Sequence, residues 1–132
     1  MKVDGRCHCG AITFEGDVDP NAVSLCHCAD CQMLSGTAYR AAIGTPAEAF
    51  VLRGRPKTYI KTAESGARRV HAFCPDCGTP IYSTSADKPT AYSLRVGTLT
   101  QRAKLKPKRQ IWWRSALPWV ADLRKLERLD KQ

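Results

Sequence analysis

The sequence predicts a mainly β, all-β-class fold, and three observations carry that prediction. Segments with strand-like alternation are short and recur at even intervals. Glycine, proline, asparagine and aspartate separate them, with 9 Gly and 8 Pro in the chain. Cysteines come in close pairs that can tie a small β domain together. At 132 residues, residues 1–132 are expected to form one domain with its own core.

The first element is the block Gly5-Arg6-Cys7-His8-Cys9-Gly10. Read as extended chain, it sets both sulfurs on one face, because residues i and i+2 point the same way. The flanking glycines permit the close turns of a metal knuckle. Residues 11–15 form a strand with Ile12 and Phe14 on one side, and 16–21 a loop. Residues 23–25 form a strand that delivers Cys26 into Cys26-His27-Cys28-Ala29-Asp30-Cys31. Asp30 is expected to cap a short helix ending at Ser35-Gly36. Strands follow at 37–43, 50–52, 57–62 and 68–73, with turns at 44–46, 54–56 and 64–66. Phe73-Cys74-Pro75-Asp76-Cys77-Gly78 comes next, then a strand pair at 81–85 and 91–96 around Asp87-Lys88-Pro89.

From Gln101 the character changes. Arg102, Lys104, Lys106, Lys108, Arg109 and Arg114 accumulate with no acidic residue among them, and Trp112, Trp113 and Trp119 lie within or just beyond the run. We read a late strand whose tryptophans pack on the core while its lysines face water. Contact with nucleic acid through interleaved basic and aromatic residues is the alternative. Leu123, Leu126 and Leu129, three apart, predict a short amphipathic helix over 121–131 lying on the body.

Charge and targeting narrow the class. All of the formal +9 sits in residues 67–132, since residues 1–66 balance seven basic against seven acidic side chains. Seven metal-bound thiolates lower the charge by seven and two dications restore four, leaving +6. An anionic substrate or partner fits this surface. No apolar run is long enough to span a membrane. The first residues lack an apolar signal region, so a cytoplasmic location is expected.

Seven cysteines cannot all pair as disulfides, and C-x-C and C-x-x-C spacings in a chain without an export signal favour metal. Cys74-x-x-Cys77 also has the spacing of a thioredoxin-type redox pair. That motif starts a helix in a βαβ unit, whereas residues 80–82 read as strand. The pairs Cys7/Cys9 and Cys74/Cys77 suit a closed four-thiolate zinc site. Cys26, Cys28 and Cys31 then supply three ligands, and three leave a corner of the tetrahedron for water or substrate. Two other readings of the triplet stay open: a fourth side chain (His8, His27, His71 or Asp30) closes it, or its thiols are free and reactive. His27, placed between two ligands, is expected to point away.

The blocks G-x-C-x-C-G, C-H-C-x-x-C and F-C-x-x-C-G-T resemble the glutathione-dependent formaldehyde-activating enzyme (GFA) family, to which centromere protein V also belongs. Ser35-Gly36, Val96-Gly97-Thr98-Leu99 and Pro118-Trp119 extend the resemblance over nearly the whole chain. Gln32-Met33-Leu34 departs from the more basic residues often found after the triplet. The resemblance implies several coiled antiparallel sheets, similar to methionine sulfoxide reductase B. It implies two Zn²⁺ ions: a structural one on Cys7, Cys9, Cys74 and Cys77, and a catalytic one on Cys26, Cys28 and Cys31. The implied activity is that of a carbon–sulfur lyase of the S-(hydroxymethyl)glutathione synthase type. Its partners would be glutathione or another small thiol and formaldehyde or another small aldehyde, with Arg40, Arg69 or Arg95 as candidate holders of the thiol's carboxylates. A non-catalytic zinc-stabilised binding module with a basic C-terminal surface is the rival. A redox enzyme of the sulfoxide reductase type comes third, since it needs a reactive cysteine outside the metal frame.

Overall fold

A computed structural model describes residues 1–132. Its strands in chain order are β1 (Lys2–Arg6), β2 (Thr13–Asp17), β3 (Ser24–Cys26), β4 (Arg40–Pro46), β5 (Val51–Arg53), β6 (Lys57–Thr62), β7 (Arg68–Phe73), β8 (Pro80–Ser85), β9 (Ala91–Arg95) and β10 (Arg109–Ile111). One α-helix, α1 (Ala29–Ser35), interrupts them. The fold is mainly β, with a three-stranded sheet ordered β1-β2-β5 and a seven-stranded sheet ordered β10-β3-β4-β9-β8-β7-β6. All pairings are antiparallel except β10 with β3, which is parallel.

The core lies between the sheets. Phe14, Ile12, Ile43, Leu94, Leu99 and Leu105 are fully buried there, and burial of such side chains stabilises by about 1.5–3 kcal/mol each. Thr45 stitches one sheet to the other: its Oγ1 donates to the Asp17 carbonyl at 2.8 Å and accepts from the Asp17 amide at 3.1 Å. Strand β1 was not expected, because only Val3 in it is a large apolar residue. Its inner positions are Val3 and Gly5, and a Cβ at Gly5 would stand 2.4 Å from the Phe14 ring. Gly5 therefore makes room for Phe14 and does not shape the metal knuckle.

Five local expectations are corrected. Residues 7–10 form a turn and not an extended segment: the Gly10 amide donates to the Cys7 carbonyl at 3.1 Å. Cys28, and not Asp30, caps α1, its Sγ accepting from the Cys31 amide at 3.3 Å. The strand placed at 37–43 runs instead from Arg40 to Pro46, through the expected turn. The late strand is only three residues long, because Trp112 takes a left-handed conformation (φ 55°) that ends it; Trp112, Trp113 and Trp119 are about half exposed and do not fill the core. Finally, no α-helix forms over 121–131. Val120–Lys125 makes 3₁₀ turns broken at Asp122, and Leu126 and Leu129 are exposed.

The pleat of the large sheet sorts its residues into two faces. Ile43, Leu94, Thr45 and Tyr92 share the core side. On the other side the register sets Cys26 opposite Arg40, Ala42 opposite Arg95, and Ser83 opposite both Ser93 and His71. His71 and Arg69 lie opposite Tyr59 and Lys61 of β6. This second face is polar and strongly cationic, and α1 borders it.

Candidate functional site

The seven cysteines gather into two groups. Within each, the sulfurs lie within 4.8 Å of one another: Cys7, Cys9, Cys74 and Cys77 in one, Cys26, Cys28 and Cys31 in the other. The first group forms because two turns meet. The Cys7 amide donates to the Ile12 carbonyl, and the Cys74 amide to the Thr79 carbonyl. Cys7 and Cys74 are buried, and Cys9 Sγ lies 3.6 Å from Cys7 Sγ and 3.7 Å from Cys74 Sγ. Cys77 lies beside the Thr79 hydroxyl at 3.1 Å, which holds its thiol down to about 5. The Ala11 amide favours ionisation of Cys9, but the neighbouring sulfurs outweigh it and push that thiol up to about 12. Crowded sulfurs resist a shared negative charge, and a dication removes the conflict.

The second group is built by the end of β3 and the first turn of α1. Burial, then Cys26 and Cys28, push Cys31 up to about 12. Burial opposes ionisation of Cys28 as well, but the Cys31 amide, the other two thiols and Lys61 prevail, and its thiol falls below the ordinary range. The donor set fits a soft cation: three cysteine sulfurs converging from one turn, with the four-sulfur group elsewhere.

None of the four side chains weighed as a closing ligand belongs to the three-sulfur group. His27 is fully buried, its Nε2–H donating to Gln110 Oε1 at 2.8 Å and its ring packing edge-on against Trp113. Asp30 pairs with Lys61 at 2.5 Å. His71 Nδ1 accepts from Arg95 Nη2 at 3.3 Å. His8 lies in the turn of the other cluster, its amide donating to Thr79 Oγ1.

Two hollows lie near the triplet, and only the first is lined by one of its cysteines. One, of about 520 Å³, is lined by Cys28, Asp30, Lys61, Ser65, Trp112 and Arg114. The Arg114 guanidinium lies over the Trp112 ring, 5.1 Å from its centre. The other, of about 510 Å³, is bordered by Arg40 and Arg95. Arg69, the third expected carboxylate holder, donates to Ser83 Oγ and does not line it. Sequence reasoning did not place Gln32, Gln110, Lys61, Trp112 or Arg114 at the site. The Gln32 side-chain amide donates to the carbonyls of His27 and Ser115, fastening the triplet to the C-terminal segment. No local pattern marks that role, because both acceptors are backbone atoms set by the tertiary fold.

This fold and site define a small two-sheet β protein with two cysteine clusters able to hold metal ions. The family described as glutathione-dependent formaldehyde-activating enzyme matches residues 2–115, and the chain belongs to that family, one of enzymes. The crystal structure of a Rhodobacter sphaeroides protein is similar, with a TM-score of 0.64 and 21% identity, covering 81% of this chain and 98% of that one. That likeness shows the fold. No curated protein matches significantly. No helix is long and apolar enough to cross a membrane.

Proposed function

We propose that the protein joins a small thiol to a small aldehyde, with glutathione and formaldehyde as the leading pair, at a zinc ion held by Cys26, Cys28 and Cys31. The observation that carries this reading is the three-sulfur group itself. Three cysteine sulfurs converge beside a hollow that reaches Cys28, and the side chains able to close the site are engaged elsewhere. Zinc bound there would favour the thiolate form of an incoming thiol at neutral pH.

In the addition, the thiol's sulfur forms a bond to the aldehyde carbon, the C=O π pair moves to oxygen, and the thiol proton ends on that oxygen. The reverse reaction is a carbon–sulfur lyase step. Nothing is oxidised or reduced. The chain's own contribution is positioning. The hollow with Lys61, Trp112 and Arg114 receives a peptide-like thiol, and Gln32 fixes the turn that presents the sulfurs. Bringing two reactants together in this way raises their effective concentration. The four-sulfur group holds a second, structural zinc.

The test is the rate of S-hydroxymethylglutathione formation with the zinc-loaded protein. Cys28→Ser should abolish the catalysed rate and reduce the zinc content from two ions to one while the fold survives. An unchanged rate in that variant overturns the reading. The exposed Trp119 and the exposed basic side chains of residues 102–109 support a second reading, a binding surface for nucleic acid. Its affinity would fall steeply with salt, and absence of binding at low salt ends it.

A further inference from the structure

The cationic face of the large sheet holds two guanidinium groups that no acid in the protein neutralises. Arg40 and Arg95 are only 6% and 7% exposed, and neither forms an ion pair. The Nε–H of each is buried without an acceptor. The one hydrogen bond from Arg95 goes to neutral His71. Burying one guanidinium unpaired is costly, and burying two on one face adds repulsion between them. Both border the same hollow of about 510 Å³, whose other walls include Leu34, Tyr59, His71 and Phe73.

Register places this pair beside the triplet, since Arg40 stands directly opposite Cys26 and Arg95 lies opposite Ala42, two residues further along β4. The triplet does not account for both charges. Three thiolates on a dication carry one net negative charge, against two from the arginines. One positive charge is left facing the hollow. Arg69 and Lys61 share the face, but Lys61 is matched by Asp30.

We infer that this hollow is a carboxylate-binding subsite, so that one of the two compounds joined at the triplet carries a carboxylate clamped by Arg40 and Arg95. Planar guanidiniums suit that group, offering parallel donors at its two oxygens. The apolar walls from Leu34 and Phe73 suit a short carbon chain attached to it. Burial, then Arg40, holds Arg95 down to about 9. The inference deepens the thiol–aldehyde reading and rests on it only for which reaction the bound acid enters.

The carboxylate belongs either to the thiol or to an aldehyde acid, and the experiment separates them. S-methylglutathione, which has no free thiol, and its diethyl ester are titrated calorimetrically into the zinc-loaded wild type and into Cys28→Ser. Glyoxylate and glyoxal form the second pair. In at least one pair the acid should bind about tenfold or more tightly than its carboxylate-free counterpart, in both proteins. A preference in the glutathione pair assigns the carboxylate to the thiol, and one in the glyoxylate pair assigns it to the aldehyde. Arg40→Lys and Arg95→Lys keep the net charge, so they retain any diffuse attraction to the basic surface, yet should lose the preference. Arg102→Gln should keep it. In the wild type, the bound acid should also shift the ¹⁵N–¹H resonances of the Arg40 and Arg95 Nε–H groups, a readout that needs no variant to fold. Acids that bind no better than their carboxylate-free counterparts, or that leave those resonances in place, overturn the subsite. Loss of the condensation reaction in Cys28→Ser would stand regardless.

Discussion

His71 occupies a position where only a neutral ring fits. Arginine donates and cannot accept, so the hydrogen bond from Arg95 Nη2 requires a lone pair on His71 Nδ1. Burial first, then Arg95, Arg40, Lys61 and Arg69, hold its pKa down to about 4. An unfolded histidine takes up a proton near pH 6.5. Between pH 6.5 and 4 the unfolded chain therefore binds a proton that the folded one refuses, and stability falls as pH falls through that window. After allowance for solvent screening at a half-exposed ring, the loss is about 1–2 kcal/mol. Urea midpoints for wild type and His71→Gln, each with zinc bound, should converge or cross as pH is lowered from 7 to 4.5. Parallel curves would remove the effect. The cysteines of both clusters were legible because C-x-C and C-x-x-C spacings encode a chemical need locally. The arginines were only candidates, because their burial depends on how β3, β4 and β9 align. One residue of slippage would turn them to the core side.

At the scale of the element, α1 does two jobs with one sulfur. Cys28 Sγ caps the helix by accepting from the Cys31 amide, and the same atom belongs to the three-sulfur group. Gly36 closes the other end in a left-handed conformation (φ 68°), its amide donating to the Gln32 carbonyl. Serine is a good N-cap and alanine a poor one. Cys28→Ser and Cys28→Ala should thus lose the same metal ion, while only the alanine variant adds about 1 kcal/mol of lost capping. Chemical denaturation of the two variants, with metal content measured alongside, checks this; equal stabilities would show that the cap contributes nothing. The helix itself was legible, because a polar cap region and Ser35-Gly36 bound a short run. The C-terminal elements were not. A three-residue leucine spacing makes a stripe only if the backbone stays helical, and Asp122 leaves helical geometry (φ −107°, ψ 18°). Tryptophans predict burial only when the chain offers them a groove, and here the turn at Trp112 carries that ring to the wall of the site.

Over the whole molecule the two clusters carry different loads. The four-sulfur group joins the turn after β1 to the turn between β7 and β8, so it ties the small sheet to the large one across 65 residues of sequence. Closing a loop of that length costs entropy that a metal bound there would offset, and the binding energy of a structural zinc enters folding stability directly. The three-sulfur group spans only Cys26 to Cys31, a turn that the cap and the Gln32 side chain also hold. A metal bound at the first site would therefore be worth a large part of the stability of a domain this size, typically about 5–15 kcal/mol in total, and one at the second very little. Cys74→Ser should lower the melting temperature by more than about 15 °C or prevent folding, whereas Cys28→Ser should lower it by less than about 5 °C. A graded chelator titration, followed by circular dichroism and native mass spectrometry, should release one zinc with the fold intact and the second only together with unfolding. Release of both ions without unfolding would mean that the sheets hold each other through Thr45, Phe14 and the shared core alone, and that the four-sulfur group is dispensable to the fold.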